Sequence, residues 1–195
     1  LEDMPTSRIR SAAQGYVELS GRSQPLPGAA NLAPLTQRPC VWWRYRIQRR
    51  TSTRSGGKQR TQWQTVNSGR SEQPFQLDDG TGTCIVQPAG AEVLTAENTT
   101  WYGDTPWPTQ APGKGSAFGE REYRYYEERI YQHEQVHLLG QFRTLTGTEN
   151  TTARPRSEDS VNSFSIASHP SGHCSGRTSI AAAAQGRRAP ALGRR

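Results

Sequence analysis

Two histidines that flank a glutamate have the most recognisable catalytic spacing in this sequence. His133-Glu134-Gln135-Val136-His137 matches the pattern H-E-x-x-H. On a helix both imidazoles share one face and bind a single Zn²⁺, while the glutamate activates a bound water; Glu158 is the candidate third ligand. In a strand the two histidines stand ~13 Å apart, too far to share an ion. We therefore expect a polar surface turn with no metal, and a zinc metalloprotease with Glu134 as base is the alternative function.

The other residues that commonly bind metals or act as nucleophiles are scattered. Cys40, Cys84 and Cys174 are too few for a disulfide scaffold or a four-cysteine zinc site. Cys40 and Cys84 adjoin predicted strands and are expected to fill the interior as small apolar groups. His169 and His173 lie near Cys174 without a fourth ligand. We expect no cofactor and no catalytic residue.

Aromatic and basic residues alternate in one part of the chain and form the candidate binding site. Arginines beside tryptophans suit single-stranded nucleic acid, because bases stack on the rings and phosphates meet the guanidinium groups. The interpretation we prefer is a strand with one tryptophan face in the core and arginines in solvent, open to an anionic membrane surface, a protein or a small ligand rather than to nucleic acid. The candidate residues are Trp42, Arg44, Arg46, Arg49, Arg50 and Trp63.

Short alternating segments predict the elements that position these residues. Residues 41–47 alternate apolar and polar side chains with the period of a half-buried strand, as do residues 16–19. Residues 75–77 lead into Asp78-Asp79-Gly80, where we expect a hairpin turn rather than an acid–base pair. Residues 83–86 and 91–95 add two strands. The pattern predicts a mainly β fold (α+β as the alternative), a small antiparallel OB-like barrel or sandwich.

Three stretches interrupt the predicted strands. Residues 49–60 carry five positive charges and two adjacent glycines, which predicts a long solvated hairpin loop. Residues 98–119 are rich in proline and glycine and predict an irregular excursion. Tyr123, Tyr126 and Ile130 have helical spacing, so we expect one short helix near 120–130, then a turn and a final strand near 135–143. Residues 14–21 and 134–140 share a faint pattern of a strand followed by glycine.

Composition separates the last 49 residues from the rest. The whole chain has 195 residues, 32% of them apolar, and a net charge of +7. Residues 147–195 are dominated by Thr, Ser, Gly, Pro, Ala and Arg, with too little apolar surface to offset the entropy of ordering. We therefore predict a β domain over residues 1–146 and a disordered low-complexity tail over residues 147–195.

The start of the sequence and its hydropathy indicate where in the cell the protein is expected. No stretch approaches the ~18 consecutive apolar residues of a membrane span, and the residues that follow Leu1 do not form a charged-then-apolar leader. We expect this chain itself to be soluble, without a signal peptide or membrane span, and to be a fragment.

Several segments together resemble the GIDE ("beside a membrane", BAM) domain of membrane-anchored E3 ubiquitin ligases and their bacterial relatives. The resemblance covers about residues 1–145. It is carried by residues 6–19 (TSRIRSAAQGYVEL), 39–45 (PCVWWRY), 75–82 (FQLDDGTG), 88–93 (PAGAEV) and 128–130 (ERI), and by Leu139-Gly140.

The resemblance implies a module that sits beside a transmembrane anchor and is itself non-catalytic. The ligases of this family carry a separate zinc-binding RING, whose closely spaced cysteines this chain lacks, so the family label of ubiquitin transferase is not expected to describe an activity of this chain. In proteins of this family a glycine commonly occupies the position of His133. The resemblance therefore implies that the H-E-x-x-H pattern arose by chance through one substitution. The expected function is a membrane-associated binding or sensing module, with an OB-like single-stranded nucleic-acid binder as a further alternative.

Overall fold

The computed structural model describes residues 5–28, 31–55, 58–109, 111–113, 121–145, 161–165 and 179–182. These residues form a mainly β protein with one 3-10 helix at Ile9–Ser11. The strands are β1 Thr6–Ser7, β2 Gly15–Gln24, β3 Trp42–Ser55, β4 Lys58–Arg70, β5 Phe75–Asp78, β6 Thr83–Gln87, β7 Glu92–Leu94, β8 Asn98–Gly103, β9 Tyr123–Ile130, β10 Gln135–Leu145, β11 Val161–Ser165 and β12 Ser179–Ala182.

Eight of the strands form the larger sheet. Their order is β1-β2-β5-β6-β11-β10-β12-β7, and β2 also pairs with β10. Strand β1 is parallel to β2, β11 to β6 and β12 to β7, whereas the remaining neighbours are antiparallel. In β2, buried and less buried residues alternate along all ten positions, so one side of this strand faces the core.

The two strands that share a faint sequence pattern pair with each other. Strands β2 and β10 are antiparallel over eight residue pairs. Leu19 lies opposite Leu138, Val17 opposite Gly140, and Gly21 opposite Val136. The strand continues past Gly21 to Gln24. Glycine is needed at position 21 because a Cβ there would lie 2.6 Å from the carbonyl oxygen of Asp78.

The smaller sheet carries most of the candidate binding residues. It has the order β4-β3-β9-β8 and is antiparallel throughout. Strand β9 pairs with β3 only as far as Tyr123 opposite Arg49. Beyond that point β3 and β4 pair with each other alone, to Ser55 opposite Lys58. We call this two-stranded extension, residues 50–55 and 58–63, the ribbon.

The two sheets share one main hydrophobic core. Its residues from the larger sheet pack with Val41, Trp42 and Ile130, which belong to or adjoin the smaller sheet. A second cluster lies on one face of the smaller sheet and consists of Leu35, Ile47, Trp101, Tyr123 and Tyr125, with Tyr45 partly buried against it. Burial of apolar side chains at about 25 cal/mol per Å² is the main stabilisation available to such a fold.

The prediction of a mainly β fold is confirmed, and the described strands form two sheets rather than one closed barrel. Strands lie where alternation predicted them, at residues 16–19, 41–47, 75–78, 83–86, 91–95 and 135–143. The hairpin turn at residues 78–80 is also present, and Gly80 has a φ of 79°.

The predicted helix near residues 120–130 is wrong, because this segment is strand β9. Tyr123 and Tyr125 are buried while Arg124 and Tyr126 are half-buried, which is the period of a strand. Pairing with β3 on one side and β8 on the other overrides the helix preference of its glutamates and arginine.

The predicted loop over residues 49–60 is also wrong, because most of it belongs to the ribbon. The irregular excursion predicted from residue 98 begins with a regular strand, β8, which ends at Gly103. Most of the predicted tail lies outside the described residues. Two segments within it are strands: β11 pairs with β6 and β10, and β12 pairs with β7 and β10.

Candidate functional site

The H-E-x-x-H segment adopts a turn followed by a strand. His133 lies in the four-residue connection between β9 and β10 with a φ of 63°, and its N–H donates to the carbonyl of Ser23 at 2.7 Å. His137 is an exposed residue of β10, with its backbone opposite Ser20. The two histidines therefore do not share the helical turn that zinc binding by this motif requires.

Glu134 closes the turn instead of facing a metal. Its Oε2 accepts the N–H of Tyr131 at 2.7 Å, and only 8% of the residue is exposed. Burial raises the pKa of the Glu134 carboxyl, the N–H of Tyr131 opposes that rise, and the charge of Glu97 adds to it. Among the described residues no group of three or more His, Cys, Asp or Glu side chains is placed to hold a metal ion. The other proposed ligands (Glu158, His169, His173 and Cys174) lie outside the described residues.

The two described cysteines are buried in the interior, as predicted. Burial raises the pKa of the Cys40 thiol to about 12, with a further rise from the charge of Glu127. Burial likewise raises the pKa of Cys84 to about 12. Because the thiolate is the nucleophile, neither residue is reactive near neutral pH.

Asp78 and Asp79 serve the hairpin turn. Asp78 accepts the N–H of Gly80 at 2.8 Å. Asp79 accepts the N–H groups of Thr81, Gly82 and Ile9 at 2.7–3.0 Å. Burial alone would raise the pKa of the Asp79 carboxyl, but these hydrogen bonds and that of the Thr81 hydroxyl hold it below its usual value. This carboxylate therefore ties the 3-10 helix to the β5–β6 turn.

Four of the six candidate binding residues lie on one face of the smaller sheet. Arg44, Arg46 and Arg50 alternate along β3, and Trp63 of β4 lies opposite Arg50. Arg70 joins this face opposite Arg44, and Arg124 of β9 joins it through hydrogen bonds to Gln48. We call this surface the basic face; its arginines are Arg44, Arg46, Arg50, Arg70 and Arg124.

The other two candidate residues are placed elsewhere. Trp42 is 1% exposed and packs in the main core, so it cannot stack on a ligand. Arg49 points to the opposite face of the sheet, where its guanidinium bonds Glu122 at 2.6–2.7 Å and lies 6.0 Å from the centre of the Tyr123 ring. The candidate site therefore loses Trp42 and Arg49 and gains Arg70 and Arg124.

A buried carboxylate orients the first arginine of the basic face. Arg44 Nε donates to Glu128 Oε1, and Arg44 Nη2 lies 3.5 Å from the carbonyl oxygen of Val93. The other oxygen of Glu128 accepts the hydroxyls of Thr95 at 2.8 Å and Tyr126 at 3.3 Å. Burial raises the pKa of the Tyr126 hydroxyl, and the negative charge of Glu128 adds to the rise. Arg44 is thus held in place although 45% of its side chain is exposed.

An open groove runs over the centre of the basic face. It has a volume of about 520 Å³ and is lined by Arg44, Tyr45, Arg46, Ser68, Gly69, Arg70, Tyr126 and Glu128. The Arg46 guanidinium lies 5.4 Å from the centre of the Tyr126 ring. In the described part of the chain, no carboxylate forms an ion pair with Arg46. We call this feature the arginine groove.

Trp63 lies at the end of the basic face next to the ribbon and already has stacking partners. The Arg124 guanidinium lies 4.9 Å from the centre of the Trp63 ring, and the ring of Tyr102 is 5.9 Å away. One face of the indole is therefore covered by an arginine. This arrangement does not favour the stacking of a nucleic-acid base on that face.

A buried ion pair behind the basic face was not predicted from the sequence. Glu127 and Arg129 are 0% and 2% exposed and are joined by an N–O distance of 2.8 Å. The other Glu127 oxygen accepts the N–H of Leu35 at 2.7 Å, and Arg129 also donates to Thr36, Thr99 and Tyr131. The signal in the sequence was the charged run Glu127-Glu128-Arg129 inside a tyrosine-rich segment. In a strand, Glu127 and Arg129 share one face and Glu128 lies on the other.

Comparisons with known proteins place the chain in a family. Residues 44–168 match the model of the GIDE family, which is described as E3 ubiquitin ligase. No curated protein matches the chain, and no solved structure does so either. No helix in the described part of the chain is long and apolar enough to cross a membrane.

The matched residues start in β3 and include the arginine groove, and they extend past residue 146 into the predicted tail. The first two segments that carried the resemblance lie before or across the start of the match. Since the match covers more than half of the sequence, the chain belongs to the GIDE family.

Proposed function

We propose that this chain is a non-catalytic, membrane-adjacent binding module of the GIDE family and that its basic face docks on anionic lipid headgroups. The observation that carries the proposal is the basic face itself. Five arginines from three adjacent strands share one side of the smaller sheet, and the side chains of Arg44 and Arg70 are 45% and 46% exposed.

The charge on this face supports attraction to an anionic membrane. A basic residue close to an acidic lipid surface contributes roughly 1 kcal/mol to binding. The contribution of Arg44 is smaller because Glu128 pairs with it. Arg46 retains its charge without a carboxylate partner among the described residues. Added together, the contributions of the basic-face arginines to the binding free energy are enough for reversible docking beside an anchored segment, where the effective concentration of lipid is high.

The state of the possible catalytic groups supports a non-catalytic role. Glu134, Asp78 and Asp79 accept hydrogen bonds that close turns, and the described thiols have raised pKa values. These groups are committed to structure, whereas Arg46 is exposed and has no carboxylate partner among the described residues. Binding is therefore the activity that the described residues are best suited to perform.

Liposome co-sedimentation tests the proposal. The chain should bind vesicles of phosphatidylcholine with phosphatidylserine, should not bind phosphatidylcholine alone, and should bind more weakly as salt is raised from about 0.05 to 0.5 M, because exposed charges are screened. The variant Arg46→Glu/Arg50→Glu should lose this binding. The matched control is Arg22→Glu/Arg143→Glu, which makes the same charge change at exposed positions of the larger sheet.

Three outcomes contradict the proposal: binding that does not change with salt, binding to neutral vesicles, and equal losses in the two double variants. Tighter binding to single-stranded oligonucleotides than to acidic vesicles at the same salt, with quenching of tryptophan fluorescence, would favour the nucleic-acid alternative instead.

A further inference from the structure

The arginine groove concentrates like charges at one position of the basic face. Arg44 and Arg70 are directly opposite each other on antiparallel strands, so their side chains lie on the same face. Arg46 and Ser68 form the next pair on that face. Like charges directly opposite each other in a sheet are destabilising. A bound anion between these side chains would remove that repulsion.

The groove also holds Arg44 and Arg46 in defined positions before any ligand arrives. Arg44 is fixed by Glu128 and faces the carbonyl of Val93, and Arg46 stacks on Tyr126. Arg70 Nη2 is 3.7 Å from a carboxylate oxygen of Glu72, and both side chains are largely exposed. A guanidinium keeps several N–H donors when one of them is occupied. Ordering these side chains in advance lowers the entropic cost of binding.

The charge of the groove matches a particular anion. Three arginines and one glutamate line it, so the lining residues carry two net positive charges, and Glu72, outside the lining, lies 3.7 Å from Arg70 in an exposed pair that solvent screens. A phosphate monoester carries about −1.5 to −2 at pH 7, whereas a phosphodiester carries a single charge. Guanidinium groups bind phosphate oxygens in bidentate pairs. A volume of about 520 Å³ is within the range of small-ligand sites and accommodates a phosphate together with the alcohol that carries it.

We propose that the arginine groove binds a phosphate monoester group through Arg44, Arg46 and Arg70. The proposal rests on the proposed function, because it specifies which headgroup chemistry the basic face recognises. The group is supplied either by a phosphorylated inositol lipid or by a soluble phosphate ester. Ser68 lines the same groove and can add a neutral hydroxyl donor, whereas the Tyr126 hydroxyl already donates to Glu128.

The experiment compares vesicles of equal surface charge. Phosphatidylcholine vesicles contain either phosphatidylserine or phosphatidylinositol 4-phosphate, and soluble inositol phosphate and inorganic phosphate are titrated in parallel by calorimetry. We expect about tenfold tighter binding to the phosphoinositide vesicles than to the serine lipid, equivalent to one well-made ion pair. The variant Arg46→Gln/Arg70→Gln should abolish this preference, whereas Arg22→Gln/Arg143→Gln should retain it.

A conservative variant separates recognition from folding. Arg46→Lys keeps the charge but removes the planar fork, so it should lower the affinity for the phosphoinositide vesicles more than the affinity for the serine-lipid vesicles. Circular dichroism and melting temperatures check that each variant is folded. If the double variant does not fold, the result for Arg46→Lys alone tests the phosphate site.

The outcomes separate this inference from the proposed function. Equal affinity for the two vesicle types, or a preference that the groove variants do not change, overturns the phosphate site and leaves membrane docking intact. Binding of soluble inositol phosphate that requires Arg46 and Arg70, without binding to any vesicle, supports the phosphate site and contradicts membrane docking. Failure to bind every probe overturns both.

Discussion

At the scale of single residues, the buried Glu127–Arg129 ion pair is an interaction of the smaller sheet that is costly to disrupt. Both side chains are almost fully buried, and their hydrogen bonds reach Leu35 and Thr36 in the chain before β3, Thr99 on β8 and Tyr131 in the turn after β9. A buried charge that loses its partner is far more costly than a pair replaced as a whole. The pair therefore connects β9 and the turn after it to two segments that are distant in sequence.

Arg129→Met should lower the free energy of unfolding by about 3–5 kcal/mol, because it would leave the buried Glu127 side chain without its ion-pair partner. The double variant Glu127→Gln/Arg129→Met should lose less than this single variant. Urea denaturation measures both. A loss below about 1 kcal/mol for Arg129→Met would show that the pair is not the main organiser of this region.

Glu134→Gln tests whether this residue is a turn acceptor. The folded state raises the pKa of the carboxyl, so its contribution to stability is present below about pH 4.3, the ordinary value for glutamate, and is lost as the pH rises through the raised value. The glutamine still offers an oxygen to the N–H of Tyr131. The variant should therefore become more stable relative to the wild type as pH increases from about 4 to 7, measured by thermal melts across that range. A relative stability that falls with pH would contradict this role.

Individual residues could be predicted from sequence where their neighbours are local. The turn at Asp78-Asp79-Gly80 was evident from three adjacent residues, and the interior cysteines from the strands beside them. Trp42 lies off the basic face because different parts of β3 meet different surroundings, whereas Arg49 lies off it by simple alternation once residues 49–55 form a strand and not a loop. One end of this strand packs against the larger sheet, whereas the middle faces solvent on one side. That difference depends on tertiary packing, which alternation within one strand does not reveal.

At the scale of elements, the ribbon shows why residues 49–60 resembled a loop. Both strands of this two-stranded extension are polar in sequence except for Trp63, so no apolar alternation marks them. Strand β9 was difficult to predict for a different reason. Its tyrosines fit both a helical and a strand period, and pairing partners on either side decided the outcome. Strands with a single buried face, such as β2, β5 and β6, followed the predicted pattern.

Shortening the ribbon should leave the fold intact. Replacement of residues 52–61 by Asn-Gly would join Thr51 to Gln62, which already pair, through a favourable two-residue turn. We expect the free energy of unfolding to change by less than about 0.5 kcal/mol, as for surface changes elsewhere. Ile47→Ala, in the cluster under the sheet, is the control and should cost about 2–5 kcal/mol. A loss of similar size in the shortened chain would mean that the ribbon supports the core.

At the scale of the whole molecule, the shared core joins the two sheets into one structural unit. Trp42 and Ile130 of the smaller sheet lie in the same cluster as Leu19, Leu77 and Leu138 of the larger one. All five tryptophans of the sequence lie in the smaller sheet or in the segment after β8. Tryptophan fluorescence therefore reports on the smaller sheet, and far-UV circular dichroism reports on both.

Urea unfolding should show coincident transitions by the two methods, because residues of both sheets build the main core. Trp42→Leu should move both midpoints to lower urea by the same amount. Separate midpoints in the unmodified chain, or a shift seen in fluorescence alone, would show that the sheets unfold independently.

The family and the fold class could be predicted from the sequence, because the short motifs and the apolar alternation can be recognised in the residues themselves. The number of sheets was not, because it depends on which strands lie side by side. The pairing of β2 with both β5 and β10 joins segments more than fifty residues apart along the chain. The division at residue 146 stays a prediction.

The matched Val-x-Leu-x-Gly segments of β2 and β10 have a consequence for crowded solutions of this protein. In the native pair each valine meets a glycine and the two central leucines meet each other. Because both strands carry the same pattern, either one is also self-complementary: two copies of β10 from separate chains, aligned antiparallel, reproduce the same contacts. Partly opened molecules therefore have a ready route to dimers in which the two β10 strands pair with each other. Within one chain the native partner prevails, since its local concentration exceeds that of any neighbour.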